Sequence, residues 1–149
     1  MIDLHDRKAL VTGGSRGIGS ATCSMLAQAG ADVAVHYMRS AAAAQDVVAR
    51  VEACGRGATL VQADLRDLEQ ADRLAGEARQ ALGGLDIVVH NAGIWTAGSL
   101  SDLTPEIWEE TMRVNLDAVY RITRAALPFL RQSEHAVIVN VVSTAAQQG

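Results

Sequence analysis

Three glycines, Gly13, Gly17 and Gly19, stand between an apolar run at residues 9–11 and a segment whose apolar residues Ile18, Ala21, Met25, Leu26 and Ala29 recur at helical spacing. The pattern predicts strand, turn and helix. At such a junction the N–H groups of the helix's first turn, with the positive end of its dipole, face the turn and attract an anion such as a pyrophosphate. Glycine suits the position because a side chain would hold the ligand off the backbone or resist the turn's dihedrals. The spacing is G-x-x-x-G-x-G and not the more general G-x-G-x-x-G. Taken alone, it also fits a tight turn that binds nothing.

The elements that must position this turn can be read along the chain. Asp32, Val33, Ala34, Val35 and His36 form a second short apolar strand, after a helix stop in which Gly30 takes the position just past the end. Ser40 is expected to cap a helix over residues 41–53, with Val47, Val48 and Val51 as its apolar stripe. A third strand at 58–62 leads to Asp64 and Leu65. Asp67 is expected to cap the next helix, where Leu68, Ala71, Leu74, Ala75, Ala78 and Leu82 keep a 3.6-residue period. A fourth strand, 85–90, opens into Asn91, Ala92 and Gly93, and an irregular loop covers 94–103. Thr104 and Pro105 start a helix expected to reach about Arg113. A longer one is expected from Asn115 to Arg131, with Pro128 at a bend or in the final turn. The apolar run at 136–142, which does not alternate, suits a strand covered on both faces and ends at Ser143.

Strand and helix alternating along the chain imply an α/β fold, a doubly wound parallel sheet with helices on both faces. Ligands of such sheets sit outside the carboxyl ends of the strands, near the point where the strand order reverses. That rule gathers residues 13–19, 36–39, 64–65, 91–93 and Ser143 onto one edge. Composition fits one globular domain: of 149 residues, 49% are hydrophobic and 20% charged, and the formal charge of −4 leaves no basic footprint for nucleic acid or an anionic membrane. The N-terminus is too polar for a secretory signal, and no apolar run reaches the length of about 18 residues that a membrane span needs. Cys23 and Cys54, in no C-x-x-C arrangement, read as buried free thiols, which suits a reducing cytoplasm. His5, His36, His90 and His135 show no metal-ligand spacing.

Thr12-Gly13-x-x-x-Gly17-Ile18-Gly19, Asp64-Leu65, Asn91-Ala92-Gly93, Val114-Asn115-Leu116 and Asn140-Val141-Val142-Ser143, in this order, resemble the short-chain dehydrogenase/reductase family. Within it they are most similar to the group of 3-oxoacyl-carrier-protein reductases and glucose dehydrogenases. His90 departs from the pattern, since the family often has two asparagines before Ala-Gly. The resemblance implies a Rossmann-type sheet and hydride transfer between NADP(H) or NAD(H) and a carbonyl or alcohol. It also implies homo-oligomers, dimers or tetramers built on the two helices at 104–131.

For the cofactor it implies contacts from Thr12, Gly13, Ser15, Arg16, Gly17, Ile18 and Gly19 around the pyrophosphate, with Ile18 on the nicotinamide side. Asp64 and Leu65 would meet the adenine, and Asn91, Ala92 and Gly93 would pass the ribose. Asn91 either touches the cofactor or only ties neighbouring strands. Asn115 belongs either to the family's proton relay or to an ordinary helix-junction cap, and Ser143 would bond the substrate's oxygen. Trp95 either lines the substrate pocket or is a plain core or surface residue, whereas Trp108 is expected to pack.

The choice of cofactor rests on the end of the second strand. An NAD site usually places an acid there for the ribose 2′-hydroxyl. This chain has His36-Tyr37-Met38-Arg39-Ser40, without an acid, and Arg39 and Arg16 are both placed to meet a 2′-phosphate. NADP(H) is therefore expected over NAD(H). The family's Y-x-x-x-K, downstream of the serine, does not occur, and Lys8 is the single lysine. Tyr120 and Arg124 share that spacing but precede Ser143, and Tyr120 is expected to pack. Residues 1–149 are accordingly expected to form a dinucleotide-binding domain cut before the tyrosine and lysine, incomplete at the C-terminal side of its sheet. The alternative is a non-catalytic nucleotide-binding fragment.

Overall fold

The computed structural model describes residues 2–143. Five strands, β1 Lys8–Val11, β2 Asp32–Tyr37, β3 Ala58–Gln62, β4 Ile87–His90 and β5 Val137–Asn140, form one sheet in the order β3-β2-β1-β4-β5. Every pairing is parallel: Val11 lies beside Val35 of β2 on one side and Val89 of β4 on the other. The chain winds outward from β1 to β3, then returns to the far side of β1 for β4 and β5. The reversal falls between β1 and β4, where a crevice must open above the strand ends.

Side chains alternate across the strands into two cores. Leu10, Ala34, Val61 and Val88 pack with Leu74 and Ala78 of α3 Leu68–Leu82 and with Ile122 and Ala126 of α5 Ala118–Leu130. Ala9, Val11, Val33, Val35 and Val89 face the other way, against Cys23 of α1 Gly17–Gln28 and Val47 and Val51 of α2 Ala41–Glu52. A strand buried on both faces needs a continuous apolar run, which is what β1, β2 and β4 have. Asp67 caps α3, accepting from the N–H groups of Glu69 at 3.0 Å and Gln70 at 3.3 Å. Lys8 lies at the amino ends of the strands, paired there with Asp32, so the single lysine is remote from the crevice.

Several expectations change in detail. Ser40 occupies the cap position of α2, but its side chain makes no capping bond. The helices at 104–131 do not break: α4 Pro105–Met112 runs through a π turn, Arg113–Asp117, directly into α5. One extra residue per turn shifts the helical phase without ending the helix, and such turns recur at functional sites. Strand β5 is exposed along its length and not covered on both faces: none of its residues joins either core, and among the described residues its outer edge has no neighbour strand. Cys54 lies past the end of α2 and is exposed, whereas Cys23 is buried as expected. Tyr120 and Trp108, expected to pack, are 59% and 53% exposed on the outer face of the α4–α5 rod, and Trp95 is a surface residue.

Candidate functional site

The turn after β1 is stitched to the end of β4 by polar side chains. Thr12, buried at the last step of the sheet, donates its hydroxyl to the Val89 carbonyl at 3.3 Å and accepts from the N–H groups of Asn91 at 2.9 Å and Ala92 at 3.0 Å. Asn91 returns its amide to the carbonyls of Thr12, at 3.0 Å, and Gly13, at 3.2 Å. Asn91 thus ties the two strand ends together, and it also lines the cleft over them. Gly19 is required by the same packing. A Cβ there would stand 2.2 Å from the Gly13 carbonyl oxygen and 2.5 Å from the Asn91 amide.

On the other side the turn rests on His36. The Gly13 N–H donates to His36 Nδ1 at 2.9 Å, the Gly14 N–H donates to the His36 carbonyl at 2.8 Å, and His36 Nε2 meets the Ala63 carbonyl at 3.1 Å. Burial holds the His36 pKa below its ordinary 6.5, partly opposed by the bond to Ala63. With the amides of Gly13 and Gly14 so engaged, the anion-binding capacity of the turn shifts to the residues that follow. Arg16 flanks α1 in extended conformation and gives it no side-chain cap, and Gly17, at φ +53°, would direct a Cβ into open space. The first turn of α1 thus presents backbone N–H groups beside room for a ligand.

A cleft of about 480 Å³ lies over the reversal point. Gly13, Ser15 and Arg16 line one side and Arg39 the β2 end; Asp64 and Leu65 stand after β3, and Asn91, Ala92 and Gly93 after β4. Thr12 and Gly19 are buried behind this wall, and Gly17 and Ile18 are exposed at the head of α1. Neither Arg16 nor Arg39 enters a salt bridge among the described residues. Asp64 does: Arg66 reaches its carboxylate with Nε at 2.9 Å and with a terminal guanidinium nitrogen at 2.6 Å. This pairing holds the Asp64 carboxyl below the usual range, with burial opposing it. Arg66 also reaches Glu110 of α4 at 3.4 Å, closing that end of the cleft.

Asn115 sits in the π turn with its amide directed at the loop after β4. It accepts from the Ile94 N–H at 2.9 Å and donates to the Ile94 carbonyl at 2.8 Å, fixing the backbone beside Gly93. Ser143 lies beyond β5, exposed and outside the cleft's lining. The chain from β5 still follows β4 there, through the bond from the Val141 N–H to the His90 carbonyl at 2.9 Å. Sequence reasoning missed the bond of His36 to the turn and the clasp of Arg66. A histidine ending an otherwise apolar strand, and an arginine two residues after an aspartate, were the signals available.

A family model for short chain dehydrogenases matches residues 7–149. The chain belongs to the short-chain dehydrogenase family. It is 44% identical over 147 residues to the uncharacterized oxidoreductase YghA of Escherichia coli K12, covering 97% of this chain and 49% of that protein. Among solved structures it resembles a short chain dehydrogenase from Burkholderia cenocepacia in complex with NADP, at 47% identity and TM-score 0.92, covering 97% of this chain and 58% of that one. It also resembles a blue fluorescent protein from a metagenomic library in complex with NADPH, at 38% identity and TM-score 0.93, covering 98% and 59%. The chain spans about half the length of the curated relatives it matches.

Proposed function

We propose that the cleft binds NADP(H) and that the chain is the cofactor-binding part of an oxidoreductase that interconverts a carbonyl and an alcohol on a small molecule. The observation that carries the cofactor choice is the β2 end, where Arg39 and Ser40 face the cleft and no acid stands to accept from a ribose 2′-hydroxyl. Arg16 and Arg39, outside any salt bridge among the described residues, keep their guanidinium donors for a 2′-phosphate. The bound NADP in the Burkholderia relative supports the same reading.

The residues fit the group. The first turn of α1 and the open side of Gly17 would take the pyrophosphate, with Ser15 and Ile18 beside it; Leu65 would cover one adenine face and Asp64 accept from its amino group. When bound, the nicotinamide supplies or takes the hydride of the carbonyl–alcohol exchange. Asn115 holds Ile94 and so shapes the ribose side of the site, in keeping with a place in the proton relay. Ser143 would orient the substrate's oxygen. The general acid and its lysine are assigned to the length of the relatives that this chain does not span, so the 149 residues alone are expected to bind cofactor without turnover. The exposed Trp108, Leu116 and Tyr120 on one rod support assembly into dimers or tetramers, and a cytoplasmic location accords with the free thiols.

Titration of the chain with NADPH and NADH, followed by nicotinamide fluorescence, tests the reading. NADPH should bind at least about tenfold more tightly, and Arg39→Ala should remove most of that preference, as expected for losing a charge-assisted bond. Equal affinity for the two cofactors would overturn it.

A further inference from the structure

The His36 ring joins the two walls of the cleft. Its Nδ1 receives the Gly13 N–H from the glycine turn, and its Nε2 meets the carbonyl of Ala63, the residue before Asp64 and Leu65. The partners dictate one tautomer: a backbone N–H demands a bare Nδ1, and a carbonyl demands a protonated Nε2. The ring is 2% exposed, so solvent cannot replace either partner. Its own carbonyl takes the Gly14 N–H as well, so this single residue consumes two consecutive donors of the turn. Those peptide units are thereby turned toward β2, leaving the N–H groups of the next residues for a ligand.

We propose that His36 is a positioning residue for the nucleotide site: its bare Nδ1 sets the orientation of the glycine turn, while its Nε2–H holds the adenine wall at a fixed distance from it. The inference rests on the NADP(H) reading above. An apolar ring at this place would leave a buried N–H and a buried carbonyl without partners, and the turn would rotate to recover them. The side chain is therefore a spacer between the pyrophosphate and adenine subsites, set within the lining of the cleft.

Two substitutions separate the ends of the ring. Asparagine places its amide oxygen near the position of Nδ1 and keeps the acceptor for Gly13. Glutamine reaches the position of Nε2 and keeps a donor for Ala63. His36→Gln should weaken NADPH binding about tenfold, the effect of leaving the buried Gly13 donor unpaired, whereas His36→Asn, which leaves only the Ala63 carbonyl unpaired, should weaken NADPH and adenosine 2′-phosphate alike by about threefold. Adenosine 2′-phosphate, which lacks the pyrophosphate, should lose little affinity in His36→Gln. Exchange of the Gly13 amide should accelerate in His36→Gln and not in His36→Asn, and 15N NMR of the unliganded protein should show His36 protonated on Nε2 alone.

If both substitutions weaken both ligands in proportion to their thermal destabilisation, His36 is only a core residue and the proposal falls. The opposite tautomer, or unchanged Gly13 exchange in His36→Gln, would also overturn it without touching the NADP(H) reading. A parent chain that shows the expected tautomer and exchange but binds no NADPH would instead overturn the nucleotide reading, and with it the role assigned here.

Discussion

His90 should make the fold acid-sensitive in a way that can be isolated. Its ring is 4% exposed between the end of β4 and α5, with Nε2 at 2.9 Å from the Thr123 hydroxyl oxygen and Nδ1 without a hydrogen-bond partner among the described residues. Donation from Nε2–H to Thr123 leaves only a lone pair unpaired, which costs less than a buried N–H would. Protonating Nδ1 would create a buried charged N–H with nothing to accept it, and burial accordingly depresses the pKa from 6.5 to about 4. The unfolded chain, at its ordinary value, takes up the proton first. Stability contributed by this group is therefore intact above about pH 6.5 and drains away as pH falls toward 4. The loss amounts to about 2 kcal/mol near pH 5 and about 3 kcal/mol below pH 4.

The assay is urea unfolding of the parent, His90→Asn and His90→Phe at about pH 7.5 and about pH 5, above the range where the carboxylates titrate. Each substitution will shift stability at neutral pH by an amount set by packing. The signature is the change between the two pH values, because burial of His36 acts with the same sign in all three proteins and cancels. Parent stability should fall relative to both variants by about 2 kcal/mol. A relative change under about 0.5 kcal/mol would refute the reasoning, since it would mean that the folded ring keeps nearly its unfolded affinity for the proton.

Two further outcomes follow from single contacts. Gly19→Ala should cost about 1–3 kcal/mol in thermal or urea unfolding and abolish NADPH binding, because the new methyl meets the Gly13 carbonyl and the Asn91 amide that brace the turn; unchanged melting and affinity would show that the brace yields freely. A thiol reagent should modify Cys54 rapidly and Cys23 only on unfolding, since burial pushes the Cys23 thiol up to about 12; mass-mapped labelling of Cys23 in the native protein would contradict this.

The alternation of apolar runs with helical stripes was legible in the sequence because each segment carries its own period. The strand at Ala58–Gln62 and the Asp67 cap were readable residue by residue. Contacts between segments were not. Gly13 and His36 are 23 positions apart, and their bond exists because β1 and β2 pair in one particular register, Val11 beside Val35. Nothing local to either residue encodes that. The π turn escaped for a different reason: the spacing of Val114, Asn115 and Leu116 does not distinguish it from α-helix, and the bond that Asn115 makes there, to Ile94, crosses from another segment. Exposure of Tyr120 and Trp108 was misread because apolar spacing says which residues share a helix face, not whether anything covers it.

The polar groups at the carboxyl end of the sheet share one physical origin. Strands β1 and β4 end there, so the backbone groups of the turns leave the ladder and need new partners while still buried. Thr12, Asn91 and His36 supply them from side chains, and Asn115 does the same for the loop one step farther out. A turn satisfied in this way keeps its shape without a ligand, so binding an anion need not bear the entropy of ordering it. The amides so engaged also define by subtraction where the anion goes, toward Gly17 and the first turn of α1. The same demand explains why an apolar substitution at Thr12, Asn91 or His36 should perturb the cleft more than its modest loss of contact area suggests: what is removed in each case is a side-chain partner of backbone groups at the turn.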